Sequence, residues 1–216
     1  MEEVRDLVGR RFGALPERAQ PRLFVSSLRT SAPRHGMRRT YELPVESNSA
    51  IVLAFPTTDA RVPSRGWGLT LLADVLQVRV EQRVREQLGL SYGPVVESNA
   101  SRVFPKIGLL TISVPAEAED HAAVEKACLE VVRELVEDGV GREELGRVLE
   151  PRRVAWSERY WMDVLDGYAG GGDGYQDWLD EGSFLESVGP SRINRYARQY
   201  LDPEKVSVAR MVPKER

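Results

Sequence analysis

The chain of 216 residues is short of the side chains that usually build a self-sufficient hydrolytic site. Cys128 is the only cysteine, which excludes an intrachain disulfide and any cysteine-based metal cluster. Two histidines, His35 and His121, lie far apart in sequence, and neither sits in a recognisable nucleophile motif. No stretch approaches the roughly 20 apolar residues of a membrane-spanning helix. The opening Met1-Glu2-Glu3-Val4-Arg5-Asp6 is charged and has no apolar core, so it does not read as a secretory signal. A one-sided charge is missing too: 30 basic against 33 acidic residues leave a net charge of −3, which argues against a general nucleic-acid binder. Residues 1–40 carry nine arginines against four acids, but scattered, as on a solvated surface.

What is present is an ordinary globular composition, 42% apolar and 29% charged, in a length that suits one well-buried domain spanning residues 1–216. Leu69, Leu72, Leu76, Val80, Val84 and Leu88 recur every three or four residues, with Leu71, Val75 and Val78 alongside. That stripe predicts a long helix with one broad buried face. Gly89 supplies its stop. Leu90 to Val96 then reads as extended, so that Arg85 falls on the last helical turn and Tyr92 at the start of a strand.

Around this centre, residues 2–12 read as a short amphipathic helix and 16–39 as a connector. Thr40–Val45 and Ser49–Phe55 read as strands, the second apolar enough to be central. Residues 91–99 and 103–114 suggest a hairpin. Residues 117–138 carry Val124, Cys128, Val131 and Leu135 on one helical stripe, which makes Cys128 a buried small hydrophobe. A further helix opens near Arg142 and is interrupted or ended at Pro151. A closing helix over Pro190–Tyr200 precedes a last strand, Val206–Val212. The order predicts an α+β fold, a mainly antiparallel sheet packed on one side by helices.

Few residues invite chemistry. His121 and Glu125 share a helix face, but a zinc-hydrolase helix needs two histidines as ligands plus the glutamate, so His121 reads as a surface histidine near a helix start. The run Gly170-Gly171-Gly172-Asp173-Gly174 lacks the Lys-Ser/Thr of a phosphate cradle and reads as a connection between helices. Trp156, Tyr160, Trp161, Tyr168, Tyr175 and Trp178 read as packing rather than as a groove. On spacing alone Arg85 is an arginine suited to a helix C-terminus, and Tyr92 a strand tyrosine.

A resemblance changes that weighting. Leu69-Thr70-Leu71-Leu72-Ala73-Asp74-Val75-Leu76 followed by Arg85-Glu86-Gln87-Leu88-Gly89-Leu90-Ser91-Tyr92 resembles the C-terminal, non-catalytic domain of the insulinase/pitrilysin-like zinc metallopeptidases, with its R-E-x-x-G-L-x-Y form. Gly141-Arg142-Glu143-Glu144-Leu145 and Tyr196-Ala197-Arg198-Gln199-Tyr200-Leu201-Asp202-Pro203 match in order, as does Arg11-Phe12-Gly13-Ala14-Leu15-Pro16. The resemblance implies that a separate zinc-bearing domain or subunit holds the H-x-x-E-H motif, absent here. It also implies that Arg85 and Tyr92 position a peptide substrate and stabilise the tetrahedral intermediate. It implies no cofactor in this chain, zinc in the partner, and no peptide hydrolysis by this chain alone. Homo-oligomerisation stays open, and so does the compartment of a soluble protein, cytoplasmic or periplasmic. The family domain normally begins upstream of the position of Met1, so the chain is expected to start inside it and to expose an unpaired sheet edge. The alternative within the same fold is a catalytically inactive scaffold or assembly subunit.

Overall fold

A computed structural model describes residues 2–13, 36–45, 48–89, 93–158, 162 and 174–214. Helix α1 is Glu2–Phe12. Strands β1 (Arg38–Leu43) and β2 (Ala50–Pro56) follow, then α2 (Pro63–Leu88). Strands β3 (Val95–Ala100) and β4 (Gly108–Pro115) lead into α3 (His121–Asp138) and α4 (Arg142–Glu158). Helices α5 (Gly174–Ser187) and α6 (Pro190–Tyr200) and strand β5 (Ser207–Pro213) complete the described elements. Leu90, Ser91 and Tyr92, most of the 16–39 connector including His35, Tyr160, Trp161, Tyr168 and 170–173 of the glycine run lie outside the described residues.

The five strands form one sheet in the order β1-β5-β2-β4-β3. Three neighbouring pairs are antiparallel, and β1 runs parallel to β5 with Arg38 opposite Val208. Strand periodicity selects the packed face: Ile51, Leu53 and Phe55 of β2 and Leu110, Ile112 and Val114 of β4 are all fully buried. Against them lies the α2 stripe, with Leu69, Leu72, Val75, Leu76 and Val80 fully buried. Each such side chain contributes about 1.5–3 kcal/mol on burial. The α+β expectation holds, and Gly89 does end α2, with φ 64° in the left-handed region.

Several boundaries move for physical reasons. The second hairpin strand begins at Gly108 rather than near Val103, because the Ser101 hydroxyl accepts from the Val103 and Phe104 amides at 3.2 and 2.8 Å and turns the chain there. Pro151 does not end its helix; α4 continues to Glu158. Pro151 and Arg147, whose carbonyl loses its helical donor, both face solvent, while Leu145, Val148 and Leu149 hold the other side in the core. Trp156 and Trp178 stack with ring centroids 4.4 Å apart, and each indole N–H donates to the other residue's carbonyl, tying α4 to α5. Cys128 is buried as expected, and desolvation pushes its thiol up to about 12.

Candidate functional site

Helix α2 delivers Arg85 to the surface. The helical period that sinks Val80 and Val84 turns residues 78, 81, 82, 85 and 86 outward, and these line a surface depression. The Arg85 side chain is 68% exposed and donates from Nη2 to Glu81 Oε1 at 2.7 Å, one turn back on the same helix. An exposed i,i+4 pair of this kind is worth roughly 0.3–0.5 kcal/mol, so it orients the guanidinium without committing it. Tyr92 lies outside the described residues; the chain is picked up again at Gly93.

Two polar residues of α2 that the sequence reading passed over are tightly engaged. Arg79 donates from Nε and Nη2 to the two Glu144 oxygens at 2.7 and 2.9 Å, and from Nη2 to the Gly139 carbonyl at 2.7 Å. That paired, hydrogen-bonded geometry raises the Arg79 pKa and lowers that of Glu144. It fastens the α3–α4 turn, where Gly139 takes φ 76° against the Asn194 side chain. Gln77 reaches the other way, to the start of β3.

The His121–Glu125 pair is the place to test a metal. Both residues share the inner side of α3, and His121 is only 2% exposed, so the surface position expected for it is corrected. The buried position follows from its acceptors. Nε2–H points to Ser49 Oγ at 3.1 Å and the Ala116 carbonyl at 3.3 Å, while Ser49 donates onward to the Met211 carbonyl. The Ala116 contact requires the proton on Nε2, which leaves Nδ1 an acceptor, and it is buried without a partner. Desolvation, the first cause, lowers the His121 pKa. Glu125 accepts from Arg38 of β1 and, at 2.7 Å, from Arg210 of β5. A carboxylate held by two guanidinium groups is spoken for, and those cations oppose a third positive charge. Among the described residues no three His, Cys, Asp or Glu side chains gather as a metal set. The residues present here do not fit a zinc ion.

The model for the peptidase M16 inactive domain matches residues 1–151. The chain belongs to that family. No curated protein matches it. Among solved structures, the M16 inactive domain from Pseudomonas fluorescens is 19% identical over 86% of this chain and 46% of its own, with a TM-score of 0.68. The first half of the periplasmic protease PqqL from Escherichia coli is 14% identical over 98% and 48%, at a TM-score of 0.72. The inactive peptidase domain of a Bordetella parapertussis protein covers 81% of this chain and 96% of its own at 17% identity and a TM-score of 0.65. Identities this low bear on the fold alone. The chain spans about half the length of the first two of these structures. It is thus the C-terminal, inactive type of M16 domain of a peptidase-family protein. Among the described residues no helix of this M16 domain is long and apolar enough to cross a membrane.

Proposed function

We propose that this M16 domain is the substrate-binding half of a zinc metallopeptidase, in which Arg85 and Tyr92 act on a peptide whose cleavage needs zinc held by a separate domain or subunit. The zinc supplies water activation there; everything this chain adds is binding and electrostatics. The observation that carries the reading is the exposed Arg85 guanidinium on the last turn of α2, held among the described residues by a solvent-exposed pair to Glu81. Such a group can exchange Glu81 for a substrate backbone carbonyl at small cost, and its planar fork fixes the extended peptide in register. Tyr92 carries the hydroxyl donor that a developing oxyanion requires. An extended peptide is the fitting substrate class, because backbone carbonyls recur along it whatever its side chains.

The test is kinetic. In the intact peptide-cleaving protein that carries this chain, Arg85→Ala and Tyr92→Phe are each expected to lower kcat by roughly 10²–10³, as loss of one preorganised donor does elsewhere. Losses of less than about twofold in both variants would remove the site assignment and favour a scaffold role for the domain.

A further inference from the structure

The loop that leads into α2 and the turn of the β3–β4 hairpin meet at one end of the domain, and a buried carboxylate joins them. Asp59 Oδ1 accepts from the Arg61 amide at 3.2 Å and from Arg65 Nη1 at 3.3 Å, while Oδ2 accepts from the Lys106 amide at 2.6 Å. The Ala60 amide donates to the Ser101 carbonyl at 2.8 Å, and the Ser101 amide donates to the Ile107 carbonyl at 2.9 Å. Lys106 is held there at φ 60°, a left-handed conformation that lysine, unlike glycine, adopts only at a cost. This end lies at the start of α2, about 33 Å along the helix from Arg85.

What this frame presents to solvent is apolar and basic. Val62, Val103 and Phe104 are 48, 56 and 38% exposed. Residues 57–65 and 101–107 carry Arg61, Arg65, Arg102 and Lys106 against Asp59 alone, in a chain whose net charge is −3. The Asp59–Arg65 pair neutralises one of these cations. Arg61, Arg102 and Lys106 remain, all exposed and, among the described residues, without an ion-pair partner. The backbone of the tip is also closed. The Val103 and Phe104 amides both donate to Ser101 Oγ, Pro105 has no N–H, and the Lys106 amide goes to Asp59. Residues 103–106 therefore offer no free backbone donor, which lets them approach hydrocarbon without the desolvation cost of an unpaired N–H. A nucleic acid would account for the cations alone. An apolar tip with closed amides and flanking cations matches the headgroup boundary of a bilayer, where apolar side chains enter and cations meet phosphates.

We propose that this end of the domain is a docking surface for an anionic phospholipid bilayer, with Val103 and Phe104 entering the headgroup boundary and Arg61, Arg102 and Lys106 meeting lipid phosphates. The contact is peripheral and reversible, since a short tip with three cations anchors without spanning. It engages the opposite end of α2 from Arg85 and does not depend on the peptide-binding reading.

Sedimentation of the intact protein that carries this chain with phosphatidylcholine vesicles, with and without phosphatidylglycerol, tests it. Binding is expected to be at least about tenfold tighter when phosphatidylglycerol is present, and to weaken as salt rises. Arg102→Gln should lower the partition coefficient about fivefold. Phe104→Ser should lower it about three- to tenfold. Lys106→Gly should lower it about fivefold while the melting temperature holds or rises, because glycine takes positive φ freely. A lysine serving only the fold would not give that split. Arg102→Gln and Lys106→Gly also carry the test if Phe104→Ser loses cooperative melting. Equal binding to both vesicle types, or none to either, would overturn the proposal. So would wild-type binding by Phe104→Ser or by the Arg102→Gln, Lys106→Gly double variant, which would place the lipid contact elsewhere. Capture of a polyglutamate peptide with the vesicles left unbound would assign the surface to an acidic protein and overturn it as well.

Discussion

Arg79 and Arg85 lie six residues apart on one helix, carry the same charge, and are treated in opposite ways. Arg79 is 20% exposed and its guanidinium is shared among both oxygens of Glu144 and the carbonyl of Gly139. Arg85 is 68% exposed and meets Glu81 one turn away. The first is built into the junction of α2 with the α3–α4 turn, where removing it would leave a half-buried carboxylate and a carbonyl without their donor. The second could be removed with almost no effect on folding. A residue that the fold holds this loosely, on a helix otherwise tightly packed, is available for a ligand. The contrast therefore separates a structural arginine from a candidate functional one without appeal to the family.

The sharpest way to break this contrast is to exchange the expected consequences. Arg85→Ala should leave thermal unfolding of the chain unchanged within about 0.5 kcal/mol, as surface substitutions do, while costing roughly 10²–10³ in kcat of the complete peptidase. A drop in melting temperature matching the loss of activity would make Arg85 structural after all. Next in size, Arg79→Met should destabilise the isolated chain by about 2–3 kcal/mol, measured by urea unfolding, because Glu144 and Gly139 lose charge-assisted partners. A Glu144→Gln companion should lose part of the same energy, and the two losses should not add.

A smaller effect concerns His121. Its pKa lies below the ordinary 6.5 in the folded chain because burial disfavours the imidazolium. Between the two values the unfolded chain binds more protons, so stability is full above 6.5 and falls as the pH drops through that window. Lowering the pH from about 7.5 to about 5.5 should therefore reduce stability through this residue, and His121→Gln, which retains an N–H for Ser49, should flatten the slope. An unchanged slope would show that His121 is not its source; Asp59, held low chiefly by the Lys106 amide, loses its contribution only below the ordinary 3.8. Smallest of all, a double-mutant cycle on Arg85 and Glu81 should give a coupling of roughly 0.3–0.5 kcal/mol that fades with salt. A coupling above about 1 kcal/mol would mean that Glu81 holds Arg85 too firmly to yield it to a peptide.

The parts of the fold legible in the sequence are those with local causes. The α2 stripe is a matter of side-chain period, and Gly89 is a stop because one residue there must take positive φ. Alternation along β2 and β4 picks out Ile51, Leu53, Leu110 and Ile112 as the packed face, and the structure seats all four in the core. Arg85 could be placed at the helix end for the same reason. Its exposure could not, since that depends on which element fails to cover it.

Contacts made over long sequence distances stayed out of reach. Glu144 is 65 residues from Arg79, and Ser49 is 72 from His121. No period or motif joins residues so separated; only the stacking of α2, α3 and the sheet brings them together. That is why His121 reads as a surface residue in the sequence and is sealed in the structure, and why Pro151 reads as an interruption or end of a helix that the packed domain carries through to Glu158. Gln77 belongs with them, since its meaning lies in a strand that folds back against it. The sequence alone determined the elements, the helix stop and the resemblance to an M16 domain, because propensity, period and motif are local. Tertiary structure decided which arginine is built into the fold and which stays exposed, because burial and hydrogen-bond partners arise only when distant segments meet.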